Sequence, residues 1–430
     1  MLDALLSFSL THGPILFGIE ALGVLALLAL LISRRSRRWL PIAAAVAVGG
    51  AVVGYSLCWL LSDVINVFGV SLSLGSRAWF SAAVAAIAVA IARLVWSRGR
   101  KLAAILAAIL LFALVGGVGI NVDLGQFPNL RTALGIGSYG DIQLPAVDSS
   151  PATTTLLAGW APPANLPTAG RIGLVTIPAT TSGFHPRSAL VYLPPAALVR
   201  HPPRLPMLEM MSGQPGGPEQ AFTSGSFGAS LNAYAKAHHG LAPIVVVPDQ
   251  LGAPNRNPMC VDSDLGNSAT YMTVDVPTWI RSHLNVLAGR TDWAVGGFSQ
   301  GGTCAIQFGA GLPDIYGGIL DIAGEIAPAN GDRQHTIDAG FGGSKSRYLA
   351  ATPREVLRAN SPYDDTLAIF AVGQLDVRFG AEVKAVADFA GAAGMKVDLL
   401  TSPGTAHDWH TVHFAFDRAL LILGAHWGLS

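Results

Sequence analysis

The sequence predicts a two-part protein: an all-α membrane domain of four helices, then an α/β domain whose mostly parallel sheet is covered by helices on both faces. Three observations lead to this fold class. Four long apolar stretches fill the first 120 residues, short β-rich runs alternate with helical patterns after residue 170, and a Gly-Phe-Ser-Gln-Gly motif joins one run to a helix. We expect a membrane domain over residues 1–120, a linker over 121–170 and an α/β domain over 171–430.

The composition separates the two parts and excludes other classes of protein. Of the 430 residues, 51% are hydrophobic and 13% are charged. This is too apolar for a chain that is soluble throughout, and too poor in charge for a disordered or nucleic-acid-binding protein. The 27 Lys and Arg residues balance the 27 Asp and Glu residues. Residues 1–125 nevertheless hold nine basic and four acidic side chains, a net charge of +5, so the rest of the chain carries −5.

Each apolar stretch is long enough to cross a lipid bilayer. About 20 helical residues, rising about 1.5 Å each, span the roughly 30 Å of hydrocarbon. We therefore expect the lipid bilayer as a partner, with transmembrane helices at about Pro14–Ser33, Trp39–Leu61, Ala78–Trp96 and Leu102–Ile120.

The short loops between these stretches predict the orientation, because Lys and Arg near helix ends are retained in the cytoplasm. The second loop has one cation and one anion, whereas the first and third loops are basic. Both basic loops should be cytoplasmic, which puts the N-terminus and everything after residue 120 outside. The first stretch has no basic segment before it, which favours a retained anchor over a cleaved signal peptide. The basic residues are Arg34, Arg35, Arg37 and Arg38 in the first loop, and Arg98, Arg100 and Lys101 in the third.

After a linker rich in Pro, Gly, Ser and Thr, strand-like and helical patterns alternate. Helical stretches such as Thr273–Leu287 and Val377–Ala393 separate the later strands. The predicted strands are Arg171–Pro178, Ala189–Leu193, Leu205–Met211, Pro243–Pro248, Trp293–Phe298, Gly318–Ala323, Leu367–Val372 and Val397–Thr401.

The motif around Ser299 is the main signal of chemistry. Gly297 and Gly301 flank the serine at two residues on either side, after an apolar run and before a helical pattern. Such glycines permit a strained strand-to-helix turn that exposes a serine hydroxyl at the edge of the sheet. We predict that Ser299 is a catalytic nucleophile.

A serine nucleophile needs a histidine base and a carboxylate that orients it. In this arrangement the acid follows the serine, and the histidine follows the acid. Asp376 lies on the loop that leaves the strand Leu367–Val372, and His407 follows the next strand. We predict Asp376 as the acid and His407 as the base.

Other residues are weaker candidates for these roles. Asp364 and Asp365 precede their strand, at the wrong end for the acid. His335 precedes the acid and breaks the expected order, while His410 and His413 fall where the last helix begins.

An ester carbonyl that is attacked by serine develops negative charge, which backbone N–H groups must stabilise. The N–H of Gln300, at the start of the nucleophile helix, is one candidate. The second should come from the Gly-rich loop 212–217, where we favour Gln214 with Gly213 as the alternative. In the simpler interpretation, these glycines only make a turn.

Cys260 and Cys304 follow neighbouring strands in the predicted extracytoplasmic part, where thiols tend to be oxidised. We predict a disulfide between them; an unreactive pair of thiols is the alternative. Cys58 should be a buried residue of the second membrane helix. No zinc-like Cys/His spacing and no phosphate-binding glycine loop occur in the sequence, so we expect no cofactor and no metal.

The second part resembles the esterase family that includes esterase D and the secreted mycolyltransferases of mycobacteria and corynebacteria. The resemblance covers about residues 170–428. It implies an α/β-hydrolase fold and carboxyl-ester cleavage or acyl transfer by Ser299, Asp376 and His407. It rests on the strand ending in Ser212-Gly213, the helix Tyr271–Ile280 with its Val276-Pro277-Thr278-Trp279-Ile280 ending, the Ser299 motif and His407-Asp408-Trp409.

Two residues depart from the family pattern. Many relatives have His-Gly where this chain has Ser212-Gly213, and the mycolyltransferases use Glu where this chain has Asp376. The second difference favours hydrolysis over mycolyl transfer.

The combination of four membrane helices with an outward-facing esterase is also similar to actinobacterial enzymes proposed to remove aminoacyl groups from membrane lipids. The expected function is hydrolysis of a membrane or cell-envelope lipid ester, with an aminoacyl phospholipid as the specific candidate. An aminoacyl ester carries a cationic amine, for which loop acids would supply a counter-charge. In the simpler interpretation, which is favoured for any single acid, they are solvated loop residues or structural caps. The alternatives are an acyltransferase acting on a sugar or glycolipid hydroxyl, and a binding module without catalysis. The candidate acids are Asp249, Asp262, Asp264 and Glu325.

Overall fold

The computed structural model describes residues 2–32, 38–67, 69–96, 102–147 and 159–429. The chain forms two compact units. The first unit comprises Met1–Gly137 with His407–Trp409, and the second comprises Ser138–Ala406 with His410–Ser430. The segment predicted as a linker is thus divided at residue 137. Its residues 148–158 lie outside the described part of the chain.

The first unit contains four helices that are long and apolar enough to cross a membrane. Short helices, α1 (Leu2–Leu6) and α6 (Leu130–Ala133), precede and follow them. The four long helices are α2 (Pro14–Leu31), α3 (Trp39–Trp59, continued by a π-helical turn Leu60–Val64), α4 (Leu74–Trp96) and α5 (Leu102–Leu124). They confirm the four apolar helices expected from sequence. Arg34, Arg35, Arg37, Arg98, Arg100 and Lys101, on which the predicted orientation depends, lie outside the described residues.

Polar pairs let two of these helices extend beyond their apolar stretches. Arg77, in the first turn of α4, donates to both carboxylate oxygens of Asp63 at 2.7 and 3.0 Å. Near the end of α5, Asp123 accepts a hydrogen bond of 2.6 Å from Ser76. Because these charged groups are paired, α4 begins four residues before the predicted Ala78, and α5 continues four residues past Ile120.

Small residues bring α3 and α4 close together, as is common between membrane helices. A Cβ atom on Gly50 would lie 2.8 Å from the Cα of Ala85, and one on Gly54 would lie 2.8 Å from the Cα of Ser81. Any larger side chain at either glycine would force these two helices apart.

The second unit is built on a sheet whose eight strands match all eight predicted strands to within three residues at each end. The strands are β1 (Arg171–Val175), β2 (Ala189–Leu193), β3 (Met207–Met211), β4 (Ile244–Val247), β5 (Trp293–Phe298), β6 (Gly318–Ile322), β7 (Leu367–Gly373) and β8 (Lys396–Ser402). Their order across the sheet is β1-β2-β4-β3-β5-β6-β7-β8. β2 pairs antiparallel with both of its neighbours, β1 and β4. The other six strands, in the sheet order β4-β3-β5-β6-β7-β8, are parallel to one another.

Helices connect and cover this sheet. They are α7 (Glu219–Phe222), α8 (Phe227–Ala237), α9 (Ser268–Thr270), α10 (Val276–His283), α11 (Gln300–Gly311), α12 (Arg333–Phe341), α13 (Lys345–Ala350), α14 (Pro353–Asn360), α15 (Val377–Ala392) and α16 (Trp409–His426). A π-helical turn, Tyr271–Asp275, leads into α10, and short 3-10 turns lie at Pro195–Leu198 and Arg290–Asp292. Two further strands of two residues each, Asp262–Ser263 and Gly266–Asn267, form a small ribbon that the sequence did not predict.

The six parallel strands determine where chemistry can occur. Their carboxyl ends lie at one edge of the sheet, so the loops that leave β3, β4, β5, β6, β7 and β8 gather there. Every residue of β2, β3, β4, β5, β6 and β7 is buried. The sheet is therefore a rigid support for the loops along this edge.

Candidate active site

Ser299 lies at a sharp turn between β5 and α11. Its backbone has φ 56° and ψ −119°, a conformation that L-residues rarely adopt. The N–H of Ser299 donates to the carbonyl of Ile322 at 2.8 Å, and its own carbonyl accepts from the N–H of Thr303 at 3.1 Å. The turn is thus fixed on both sides, as the sequence motif predicts for a nucleophile elbow.

Close contacts explain the two glycines of the motif. A Cβ on Gly297 would lie 2.2 Å from the carbonyl oxygen of Gly301. A Cβ on Gly301 would lie 2.6 Å from the carbonyl oxygen of Ser212. The glycines therefore allow the start of α11 to pack against the end of β3.

The loop after β3 lies beside the serine. A Cβ built on Gly213 would be 3.4 Å from the Cβ of Ser299. Gln300 is the first residue of α11, where backbone N–H groups have no partner within the helix. Gln300 and the start of the loop 212–217, the two segments chosen from sequence for oxyanion donors, thus adjoin Ser299. The donor roles of Gln214, Gly213 and Gln300 stay predictions.

Asp376 lies on the loop between β7 and α15, at the predicted edge of the sheet. It is 7% exposed, and its Oδ1 accepts a hydrogen bond of 3.2 Å from the N–H of Phe379, which caps α15. Asp364 and Asp365, the rival acids, precede β7 and lie toward the opposite edge.

The loops after β7 and β8 run side by side. The N–H of Leu375 donates to the carbonyl of Thr405 at 2.8 Å, and the N–H of Gly404 donates to Oε1 of Gln374 at 2.9 Å. Ala406 packs against Gly373, and its carbonyl accepts from the hydroxyl of Thr411 at 2.6 Å. His407 is the next residue in the chain. The loops that carry the predicted acid and base are therefore neighbours.

The alternative histidines lie on helices. His413 is in α16, 3.6 Å from the carboxylate of Asp417 one turn later, and His410 is in the first turn of the same helix. His335 is an exposed residue of α12.

Cys260 and Cys304 form a disulfide, as predicted. It joins the loop after β4 to the nucleophile helix α11. The side-chain amide of Gln300 donates to the sulfur atoms of Cys304 and Cys260 at 3.2 and 3.5 Å. The disulfide therefore contacts the side chain of the residue that follows Ser299. Cys58 is a buried free thiol, also as predicted.

The structure corrects the prediction that Asp249 supplies a counter-charge to a cationic substrate. Asp249 is fully buried. Its oxygens accept from Nε, Nη2 and the backbone N–H of Arg187 at 2.7 to 2.8 Å. This ion pair neutralises the carboxylate inside the fold, so Asp249 has no free charge for a substrate.

The three other predicted acids differ in their surroundings. Asp262 accepts from the backbone N–H and hydroxyl of Thr270 at 3.0 and 2.5 Å and caps α9. Asp264 is exposed on the ribbon. Glu325 follows β6 and is partly buried. Burial and the nearby Glu382 raise its pKa to about 7, against the opposing effect of Arg378. The binding roles of Asp262, Asp264 and Glu325 stay predictions.

Three polar residues beside the site were not among the site residues predicted from the sequence. Arg187 and Gln250 hold the loop after β3, and Asp321 is a buried acid at the end of β6, where burial raises its pKa to about 7. Their partners are distant in sequence, and no local motif marks them.

No family model matches the chain. A protein of Corynebacterium glutamicum, described only as uncharacterized, is 32% identical over 290 residues, which is 65% of this chain and 65% of the relative. The chain thus matches slightly less than two thirds of that relative's length.

Solved structures identify the fold of the second unit. A ferulic acid esterase superimposes with a TM-score of 0.50 at 14% identity, over 60% of this chain and 99% of the esterase. An S-formylglutathione hydrolase from Agrobacterium tumefaciens gives 0.51 at 16% identity, over 61% of this chain and 98% of that protein. The second unit has the α/β-hydrolase fold. The sequence-based fold class is therefore confirmed.

Proposed function

We propose that the chain is a membrane-anchored, extracytoplasmic serine esterase that hydrolyses a carboxylic ester of a membrane or cell-envelope lipid. The observation that carries this proposal is the conformation of Ser299, a serine with a positive φ at the strand-to-helix turn of an α/β-hydrolase fold. The two solved structures described above support hydrolysis as the reaction, since one is a ferulic acid esterase and the other an S-formylglutathione hydrolase.

In the proposed mechanism, His407 takes the proton of the Ser299 hydroxyl as the serine oxygen attacks the ester carbonyl. Asp376 orients His407 and stabilises its positive charge. Backbone N–H groups of Gln300 and of Gln214 or Gly213 stabilise the oxyanion. His407 then protonates the leaving alcohol, and an acyl-enzyme remains on Ser299. His407 then takes a proton from water as the water oxygen attacks this ester, and it returns the proton to the Ser299 oxygen as the carboxylic acid is released.

The four apolar helices support a lipid substrate. A tethered site meets an insoluble ester at a much higher effective concentration than a free enzyme would. We propose that the basic loops lie in the cytoplasm and the second unit lies outside, where lipid headgroups of the outer leaflet are within reach.

An aminoacyl phospholipid is the specific substrate that we propose. Glu325 supports it, because this partly buried carboxyl lies beside α11, where its N–H donates to Thr303 at 2.9 Å. A substrate ammonium next to Glu325 would favour the ionised carboxylate and lower its raised pKa. Asp262 and Asp264 extend the acidic surface at this edge and are secondary candidates.

The test of the proposed function uses the full-length chain in detergent with a short p-nitrophenyl ester. We expect ester hydrolysis by the wild type, and a loss of at least 1,000-fold in kcat for Ser299→Ala, which removes the nucleophile. A fluorophosphonate probe should label the wild type and not Ser299→Ala. Full activity of Ser299→Ala would reject the assignment, whereas transfer of the acyl group to added trehalose would favour an acyltransferase.

A further inference from the structure

We propose that Gln250 is a positioning residue that orients the peptide group between Ser212 and Gly213 beside the nucleophile. This inference rests on the proposed function, because it concerns the stabilisation of the oxyanion at Ser299. Gln250 follows β4 and is completely buried. It does not reach the substrate in this proposal and acts through the backbone of the loop after β3.

The side-chain amide of Gln250 links two parts of the proposed oxyanion hole. Its Nε2 donates to the carbonyl oxygen of Ser212 at 2.6 Å and to Oε1 of Gln300 at 3.0 Å. Ser212 opens the loop after β3, and Gln300 opens the nucleophile helix. One amide group therefore sets the position of the loop relative to the helix.

The bond to Ser212 controls the direction of a specific N–H group. The peptide group is planar and trans, so the carbonyl of Ser212 and the N–H of Gly213 point in opposite directions. A hydrogen bond that fixes the carbonyl of Ser212 consequently fixes the N–H of Gly213. Gly213 packs against Ser299, which places this N–H close to the site where the oxyanion forms.

Two N–H groups in this loop are available for such a role. Among the residues that the structure describes, the backbone N–H groups of Gly213 and Gln214 donate no hydrogen bond. Gly213 is buried and Gln214 is partly buried. A bound oxyanion would give them the acceptor that the fold itself does not provide.

The backbone of Gln250 is held by a neighbouring side chain. The hydroxyl of Ser268 donates to its backbone carbonyl at 2.7 Å. Its neighbour Asp249 pairs with Arg187, whose Nη2 also donates to the carbonyl of Gly216 at 2.9 Å. Two adjacent residues after β4 therefore hold the loop at two points, one through Ser212 and one through Gly216.

A second set of contacts fixes the partner of Gln250. The Nε2 group of Gln300 donates to both sulfur atoms of the Cys260–Cys304 disulfide. With its amino group engaged there, Gln300 presents its Oε1 to Gln250. This explains why an amide, with donors and an acceptor, occupies position 300.

The test compares Gln250→Met with Gln307→Met in the full-length chain. Methionine has a similar volume and no donor, so Gln250→Met frees the 212–213 peptide group. Gln307 is the matched control, because it is a buried glutamine of α11 whose amide donates to Ala351 instead, at 3.1 Å. Loss of an oxyanion donor costs about 100- to 1,000-fold in kcat. A misoriented N–H group still stabilises the oxyanion in part. We therefore expect kcat to fall about 10- to 100-fold in Gln250→Met, with KM changed less than twofold.

A transition-state analogue separates positioning from a general structural effect. A trifluoromethyl ketone that forms a hemiketal with Ser299 needs the oxyanion donors, whereas an ether analogue of the ester does not. For Gln250→Met, the affinity for the ketone should fall by the same factor as kcat/KM, and the affinity for the ether should not change. Gln307→Met should change neither affinity. Equal losses in the two variants, or wild-type kinetics in a folded Gln250→Met, would overturn the proposal.

Two further measurements keep the test decisive. If Gln250→Met does not fold, Gln250→Glu preserves the shape but turns an acceptor toward Ser212, and it should show the same loss of kcat and of ketone affinity. If the wild type hydrolyses no ester, the proposed function fails. The rate at which a fluorophosphonate labels Ser299 still depends on the N–H groups that stabilise the oxyanion. An unchanged labelling rate in Gln250→Met or Gln250→Glu would then reject the positioning role.

Discussion

Glu209 is a carboxylic acid in the middle of the central sheet. It lies on β3, fully buried, and its Oε2 accepts a hydrogen bond of 2.8 Å from the hydroxyl of Tyr316. Its Oε1 has no partner among the described residues. Burial raises the pKa of Glu209 from 4.5 to about 8, against the opposing effect of the bond from Tyr316. At neutral pH, therefore, this side chain is largely protonated.

The raised pKa predicts that this group destabilises the fold as pH increases. Below pH 4.5, both the folded and the unfolded chain bind the proton, so the group does not make the free energy of unfolding depend on pH. Between pH 4.5 and 8 only the folded state keeps it, so the free energy of unfolding falls through this range. Glu209→Gln is neutral at every pH and retains an acceptor for Tyr316.

We expect the stability of Glu209→Gln relative to the wild type to rise by about 2–4 kcal/mol between pH 4.5 and 8. The measurement is unfolding of the full-length chain, followed by tryptophan fluorescence at several pH values. Glu355→Gln is the control, because Glu355 forms a surface pair with Arg358 in α14. A difference between Glu209→Gln and the wild type that does not vary with pH would contradict the prediction.

The roles of single residues differed in how well they could be predicted from the sequence. Ser299 could be found because its constraint is local: a positive φ and two close contacts require glycines at fixed positions. Asp249 was misjudged because its partner, Arg187, is 62 residues away. Gln250 could not be found, since its role depends on bonds to Ser212 and Gln300, at separations of 38 and 50 residues.

Among the elements, β3 and α11 form the contact on which the site depends. The helix starts so close to the strand end that a Cβ on Gly301 would lie 2.6 Å from the carbonyl oxygen of Ser212 and 2.7 Å from that of Met211. These are backbone atoms at the end of a central strand and in the first residue after it, so moving them aside would disturb the sheet. The same carbonyl of Ser212 receives the hydrogen bond from Gln250.

We therefore predict that Gly301→Ala pushes the start of α11 away from β3. Overpacking of this kind costs about 1–3 kcal/mol, and displacement of Ser299 should lower kcat at least tenfold. Gly311→Ala is the control on the same helix, because its Cβ would meet its nearest neighbour, Val356, at 3.6 Å, an ordinary contact. Thermal unfolding and ester hydrolysis measure the two effects. Equal behaviour of the two variants would show that the close contact does not matter.

Strands proved easier to predict than helix ends. The six inner strands, β2 to β7, are short apolar runs bounded by turn residues, and burial of both faces makes them visible in the sequence. The ends of α4 and α5 contain Arg77 and Asp123, which resemble loop residues until their partners are known. The ribbon at 262–267 was missed because its strands have only two residues each.

At the scale of the whole molecule, the neutral net charge conceals two opposite parts. Residues 1–125 carry +5 and the remainder carries −5. In the proposed orientation, the basic residues of the first and third loops are retained in the cytoplasm, and the acidic second unit faces outward. An acidic surface would attract a cationic lipid ester over a distance of about 8 Å at physiological salt. Charge distribution thus connects the topology to the proposed substrate.

This orientation predicts which positions a membrane-impermeant maleimide can reach in intact spheroplasts. In a Cys58→Ala background, Arg200→Cys places a thiol on an exposed position of the second unit, and Ser36→Cys places one in the basic first loop. Cys260 and Cys304 are paired and unreactive. We expect labelling of Arg200→Cys in intact spheroplasts, and of Ser36→Cys only after permeabilisation. The reverse pattern would place Ser299 in the cytoplasm and exclude lipids of the outer leaflet as its substrates.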